Sequence, residues 1–576
     1  MNTAIWSFLA FICSHAVENY MLDIIVCLRY NRAMKVKNKK VHLEIQKSGS
    51  RFRGVLRTTT RKNGKTVHET CGHIPPQDYN TLKLVQAALQ GKVVMKDSAD
   101  AMKIIESKEF GASFALSQLA KNIGLHKLIY SRPSEQWVKD CLSMIIGRIV
   151  YAGSKLALSQ TWKDSALWEI NNVDGEVDVD KHCYASMDRL LERQEQIQQK
   201  LVDKHLSNGS LVLYDITSSY FEGEYEKSEI AAFGYSRDKK RGHEQMVIGL
   251  ICNEEGCPVS VEVFKGNTQD ASTVPQKIDD IQKKYGVKKI IFVGDRGMVT
   301  HANYEKVKGL DGLNIISALT HKEIVKLKER EVIQLELFDE KNIVEVCETD
   351  GSGIRYCLCK NPFVAKKTGE TRQNLLEKTK IELNKIANSK RKSTAEKIGA
   401  RVGKLLIKTK MGKFIKWTVT KENKLEWEFD EEKIYSEKLF DGCYIIYTDV
   451  PKKEMNAEKI VASYKKLRLV ENAFMNLKTV LLEIRPVYHK TDIRIKSHIF
   501  ICMLSYYLEW HLLKLLKPLF DKDKKGKRRR WTKRLVIERL KSIRRNKCTI
   551  CGVESKIITE PDREQEEILK LIGIRL

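Results

Sequence analysis

The sequence predicts an α/β or mixed-sheet fold, interrupted by a mainly β insertion and flanked by a helical N-terminal region and a helical, basic C-terminal region. Three observations predict it. Short apolar runs of strand type alternate with a helical period between residues 207 and 320. That alternation breaks up between 321 and 450. Helical apolar periods return over 451–516, and a dense basic stretch fills 517–576. The 576 residues exceed the roughly 250–300 at which a single core stops growing, so the chain needs at least two domains, or one with large insertions.

The elements follow in chain order. Residues 4–17 are apolar, but no basic residue precedes them, and they are shorter than the roughly 20 a membrane span needs. Residues 1–33 read as an upstream extension, with a membrane anchor as the alternative. Residues 34–75 alternate basic and apolar positions about a hairpin turn at Arg61-Lys-Asn-Gly-Lys65, a small basic β unit. Residues 76–206 read as helical, a region that either binds DNA or simply packs. Leu211-Val-Leu-Tyr214 is a strand that ends in Asp215. Two strands at 246–252 and 259–264 form a hairpin through Asn253-Glu-Glu-Gly256. A helix at 270–285 leads to Lys289-Ile-Ile-Phe-Val293, which closes on Gly294-Asp295, and a fifth strand follows at 314–319. Strand-like runs at 331–337, 342–347, 413–420, 425–429 and 443–448, with a helix at 371–387, make up the insertion. Helices at 457–479 and 495–516 precede the basic run that contains Lys527-Arg-Arg-Arg530.

Charge and cysteine usage narrow the function. Lys and Arg total 102 against 74 Asp and Glu, a net +28. A surplus of that size attracts polyanions, nucleic acid first. The fourteen cysteines are scattered through a long chain, unlike a disulfide scaffold, and point to reduced thiols in a cytoplasm. Cys548-Thr-Ile-Cys551 is a lone CxxC with no second pair or histidine pair to complete a zinc site.

Three acids stand out. Asp215 follows four apolar residues directly and Asp295 follows four and then Gly294, and an acid there must be solvated, hydrogen-bonded or metal-bound. Glu471 is judged on a helical wheel. At about 100° per residue, Tyr464, Arg468, Glu471 and Lys478 fall within an arc of roughly 80° beside an apolar stripe of Leu467, Val470, Phe474 and Leu477. A surface helix with an ordinary ion pair has the same pattern.

These residues carry a resemblance. Tyr214-Asp-Ile-Thr-Ser-Ser-Tyr-Phe-Glu-Gly223, Gly234-Tyr-Ser-Arg-Asp238, Gln245-Met-Val-Ile-Gly-Leu250, Val263-Phe-Lys-Gly-Asn-Thr268, Phe292-Val-Gly-Asp-Arg-Gly-Met298, the stretch from Tyr464 to Lys478, Arg485-Pro-Val-Tyr-His489 and Arg494-Ile-Lys-Ser-His498 resemble the DDE transposases of bacterial insertion sequences. The likeness is to the subgroup with a Tyr-Arg-Glu-Lys signature and a β-rich insertion, and it covers roughly residues 110–515. Three residues separate Tyr464 from Arg468 and two separate Arg468 from Glu471, the reverse of the usual signature.

The resemblance implies a ribonuclease-H-like core (207–320 and 451–516) around the insertion. It implies two Mg2+ ions, replaceable by Mn2+, held by Asp215, Asp295 and Glu471. Asp215 would bridge both ions, with Asp295 on one and Glu471 on the other. Hard cations favour such oxygen donors, and a metal pair can serve both the attacking and the leaving oxygen of a phosphodiester displacement. Water would first cut the element end, and the freed 3′-hydroxyl would then attack target DNA. Lys478 and Arg468 would contact phosphates and Tyr464 would position the strand. Arg296, His243 and Arg485 are further candidates for backbone contact. The implied partners are double-stranded DNA, at terminal inverted repeats and target, and a second copy as a homodimer on DNA, with no membrane. The implied place is the bacterial cytoplasm, at the nucleoid. The competing readings are a nuclease of the same fold that cuts without joining, and a non-catalytic DNA-binding relic.

Overall fold

The computed structural model describes residues 41–89 and 102–576, apart from positions 50, 63, 78, 239, 300, 308–309, 335–336, 339, 348–352, 390–392, 481, 483, 486, 525–529 and 551–552. The apolar extension 1–33, residues 527–529 of the basic run, Asn63 of the expected hairpin turn and Cys551 of the CxxC pair lie outside the described residues. The chain forms two units: 1–115 with 161–176 and 529–576, and 116–160 with 177–528.

In the first unit, strands β1 (Val41–Ser48), β2 (Arg51–Lys62) and β3 (Lys65–Gln77) make an antiparallel meander with β2 in the centre. Its second hairpin closes at the pair Lys62↔Lys65, where Gly64 takes the positive φ of 74° that side chains disfavour. Helix α1 (Tyr79–Leu89) covers one face, packing Leu82 on Leu43 and Ile74. Strand β4 (Met102–Glu109) belongs to the same unit.

In the second unit, helices α2 (Gln136–Val150) and α3 (Gln194–His205) precede an eight-stranded mixed sheet. Its strands are β5 (Ser210–Tyr220), β6 (Gln245–Asn253), β7 (Pro258–Lys265), β8 (Ile290–Val293), β9 (Leu313–Ala318), β10 (Val344–Cys347), β11 (Arg355–Lys360) and, past a separate two-stranded hairpin of β12 (Ile415–Val419) and β13 (Leu425–Phe429), β14 (Cys443–Thr448). The spatial order is β10-β11-β14-β9-β8-β5-β6-β7. Only β5, β8 and β9 run parallel to one another. Helix α4 (Asp270–Asp279) connects β7 to β8. Helices α5 (Pro362–Ala387) and α6 (Ala395–Thr409) follow β11, and α7 (Ala457–Lys465), α8 (Leu467–Met475) and α9 (Asp492–Leu515) follow β14.

Alternation along β5 sorts its two faces. Tyr214 is fully buried and its hydroxyl donates to Thr273 Oγ1 of α4 at 3.0 Å. Successive strand residues face opposite sides, so Asp215 faces away from α4. Helix α8 packs on β5. Gly249 of β6 makes room for Tyr214, because a Cβ there would lie 2.7 Å from its hydroxyl and 3.1 Å from the Phe264 ring.

The expectation of a mainly β segment over 321–450 is corrected. Helices at His321–Glu329, Pro362–Ala387, Ala395–Thr409 and Glu431–Leu439 outweigh its strands, and β10, β11 and β14 extend the main sheet rather than forming a separate β body. The physical reason is visible in α5. Its 26 residues are rich in Lys, Glu and Thr, and only Thr379 and Leu383 are buried, so its apolar period is faint. Residues 331–337 include no strand among the described residues. Nor are the flanking regions purely helical. Strands β15 (Arg544–Ile550) and β16 (Val553–Ile558) pair with β4 into a three-stranded sheet within the first unit. Partners more than 400 residues apart leave no local signal.

Candidate active site

Asp215 does not end its strand. β5 runs five residues past it to Tyr220, and the strand that ends is the parallel neighbour, β8. The last parallel pair is Leu213↔Val293. Asp215 and Asp295 therefore each lie two residues beyond the same rung, on adjacent chains. Just after β8, Gly294 leaves room for Val299, to which a Cβ there would come within 2.9 Å. Two N–H groups, of Met298 and Val299, donate to the Asp295 carbonyl at 2.9 and 3.2 Å, which fixes the turn that exposes Asp295.

Glu471 comes from α8. That helix buries Leu467, Val470, Ala473 and Phe474 and leaves Glu471 exposed at its edge. Electrostatics ties the three acids together. Burial, then the charges of Asp295 and Glu471, push the Asp215 carboxyl up to about 7, against the opposing effects of the Ile216 N–H and Arg237. The Ile216 N–H donates to Asp215 Oδ1 at 2.8 Å. Among the described residues no three His, Cys, Asp or Glu side chains are arranged as a metal cage. Asp215, Asp295 and Glu471 thus act on one another through their field without forming a closed coordination sphere.

The donor set still fits a hard divalent cation. All three side chains offer oxygen, the ligand that Mg2+ prefers. Burial first, and then the charges of Asp295 and Glu471, make the ionised Asp215 costly, and a dication held there would offset that cost.

The candidate DNA-contact residues fall into two groups. Tyr464 donates its hydroxyl to Asp295 Oδ1 at 3.1 Å, and burial followed by the Asp295 charge raises its pKa. Arg296 and Arg468 are exposed. In contrast, Lys478 is turned inward. Its Nζ donates to the Ser218 carbonyl at 2.5 Å and pairs with Asp238 at 3.1 Å, with the side chain only 10 % exposed. Arg485 pairs with the other oxygen of Asp238 at 3.1 Å and lies 4.7 Å over the Tyr220 ring. His243 is exposed and also meets Tyr220, ring to ring at 5.5 Å, and contacts the Phe221 carbonyl through Nδ1 at 3.2 Å.

The single arc from Tyr464 to Lys478 is therefore corrected. The helix breaks at Lys466 between α7 and α8, and a wider π turn over Asn476–Val480 follows α8. A wheel built on uniform α geometry cannot carry an azimuth across either irregularity. Sequence reasoning also missed Arg237 and Asp238. Arg237 pairs with Asp270, and its backbone N–H donates to Ser218 Oγ at 3.0 Å. Asp238 joins Lys478 to Arg485. Both stand in the quoted segment Gly234-Tyr-Ser-Arg-Asp238, the one signal that could have pointed to them.

A large mixed sheet with two acids beyond one rung and a third on a packed helix is compatible with the fold of enzymes that process DNA ends through a DDE triad. The transposase DDE domain matches residues 207–508, more than half of the chain, and the chain belongs to that family. No curated protein matches the chain. Family membership brings DNA as substrate and transposition or nuclease activity in general, and such enzymes generally use divalent metals. Among the described residues no single helix is long and apolar enough to cross a membrane.

Proposed function

We propose that this protein cuts DNA at the ends of a bacterial insertion sequence and joins the freed ends to target DNA. The sheet around β5, β8 and β9 is read as a ribonuclease-H-like core. The observation that carries the reading is the shared rung: Asp215 and Asp295 are offset equally from Leu213↔Val293, and Glu471 adds its charge from α8.

Asp215, Asp295 and Glu471 would hold two Mg2+ ions, or Mn2+ in their place. Bound there, the ions would lower the cost of charge on the attacking and leaving oxygens of the phosphodiester. The protein's own groups do the rest. Tyr464, bonded to Asp295, orients that carboxylate and would position the strand beside it. Arg296 and Arg468, both exposed, are free to meet phosphates. Lys478 and Arg485 act first as positioning residues, fastening the segment around Asp238 to the end of β5. His243 contacts backbone from the edge beside Tyr220. A homodimer on DNA would hold both terminal inverted repeats, at the nucleoid.

The test is direct. Purified protein is incubated with element-end DNA, Mg2+ and a target plasmid. The transposase reading expects cut ends and joined products, both abolished in Asp215→Asn. Cut ends without joined products would leave a nuclease, and unchanged activity in Asp215→Asn would remove the proposed metal site.

A further inference from the structure

The meander β1–β3 has one face that α1 does not cover. Phe52 and Leu56 of β2 pack with α1 into the small core. Residues of the other parity, Arg51, Arg53, Val55, Arg57, Thr59 and Arg61, face the opposite side, where Val55 is itself buried. β2 pairs with β1 without register shifts from Arg51 to Thr58 and with β3 without one from Arg57 to Lys62, and at the two shifts against β3 the extra residue is β3's, so the alternation of β2 is unbroken. Arg51, Arg53 and Arg61 are exposed and Arg57 is half-buried.

This row is not ordinary surface charge. Basic residues on an edge strand guard against edge-to-edge pairing, but β2 is the central strand, paired on both sides. Residues 41–89 hold eight Lys and Arg against three acids. The partners on this face orient the arginines rather than cancel the whole row. Arg53 Nε and Nη2 donate to Gln46 Oε1 at 3.2 and 3.0 Å, which leaves further guanidinium N–H groups pointing outward. Arg57 pairs with Glu44 at 3.0 Å. Past Thr58 the pairing of β2 with β3 carries on to Lys62↔Lys65 and bears Arg61, Lys62, Lys65 and His68. At about 3.4 Å per residue, the row from Arg51 to Arg61 spans roughly 34 Å, close to one turn of B-DNA.

We infer that the arginine-bearing face of the β1–β3 meander binds duplex DNA, with Arg51, Arg53 and Arg61 on phosphates. This interface lies in the first unit and shares no residue with the acid site. The inference rests on the reading of the chain as one that acts on DNA.

The experiment uses the full chain and linear duplex DNA of mixed sequence, with affinity measured against salt. Arg51→Ala/Arg53→Ala/Arg61→Ala, in which every change is at an exposed position, is compared with wild type. Lys83→Ala, on α1, serves as the control. The triple variant is expected to keep the wild-type Tm, to bind roughly ten- to a hundredfold more weakly, and to lose about two to three from the slope of log K against log salt. Lys83→Ala is expected to bind as wild type does. A triple variant with wild-type affinity and slope would overturn the inference and leave the transposase reading standing. A wild-type chain that fails to bind duplex DNA at all would overturn both.

Discussion

Asp215→Asn separates stability from activity at one position. Asn keeps the shape of Asp and removes its charge. In the folded, metal-free protein the Asp215 carboxyl is pushed from the ordinary 3.8 to about 7, by burial first and then by Asp295 and Glu471. The folded state therefore holds this proton more tightly than the unfolded chain does. Stability falls as pH rises from about 4 to about 7, because the folded state must give up a proton that the unfolded chain has already lost. A rise from 3.8 to about 7 converts to an upper bound of about 4 kcal/mol. The carboxylate is partly open to solvent, so about 2 kcal/mol is the expected size. Asn escapes this cost. In EDTA at pH 8, Asp215→Asn should be more stable than wild type by that amount in urea unfolding, and the gain should vanish near pH 4. Added Mg2+ should stabilise wild type selectively, because only Asp supplies the anionic ligand. A variant that is no more stable than wild type at pH 8 in EDTA would refute the claim that Asp215 is a buried carboxylate made costlier by Asp295 and Glu471.

Other sites give independent checks. Gly249→Ala places a Cβ against the Tyr214 hydroxyl and the Phe264 ring and should cost about 1–3 kcal/mol, read from urea unfolding. Asp238→Ala strips Lys478 and Arg485 of their shared carboxylate; a loss of roughly 3 kcal/mol is expected, larger than for Arg485→Ala, which leaves the Lys478 pair in place. Lys155 is fully buried beside His498 Nδ1 at 3.4 Å, and burial followed by the Arg148 charge lowers its pKa to about 8. Its folded pKa lies below the unfolded 10.5, so stability should rise with pH between about 8 and 10.5, and Lys155→Met should flatten that rise in a series of Tm measurements.

The legible parts of the fold are those with strong local signals. β5 to β9 are compact apolar runs, and each was placed within a few residues at its start. The end of β5 was not, because Ile216 to Tyr220 mix apolar and hydroxyl side chains, and their strand state depends on pairing with β6. The insertion was misread for the opposite reason. The alternating residues of β12 and β13 are conspicuous, whereas α5 hides its narrow buried stripe among charges. β4 and β15 hold together across the length of the chain, and no window of sequence contains both. At the candidate site, Asp215 and Asp295 stand out in the sequence through their apolar approaches. Asp238 was not, because its role exists only once Lys478 and Arg485 arrive.

The irregular helix carrying Glu471 has a mechanical consequence. At its N-terminal side, Tyr464 on α7 bonds to Asp295, just beyond β8. At its C-terminal side, the π turn delivers Lys478 to the Ser218 carbonyl of β5 and to Asp238. Between these two tethers, Val470 and Phe474 bury α8 against the core and leave Glu471 facing outward. Each tether ends on a chain segment that also carries one of the two aspartates: Asp295 itself on one side, and β5 with Asp215 on the other. One stretch of chain thus bonds to both aspartate-bearing segments, with the irregularity at Lys466 and the π turn on either side of the glutamate.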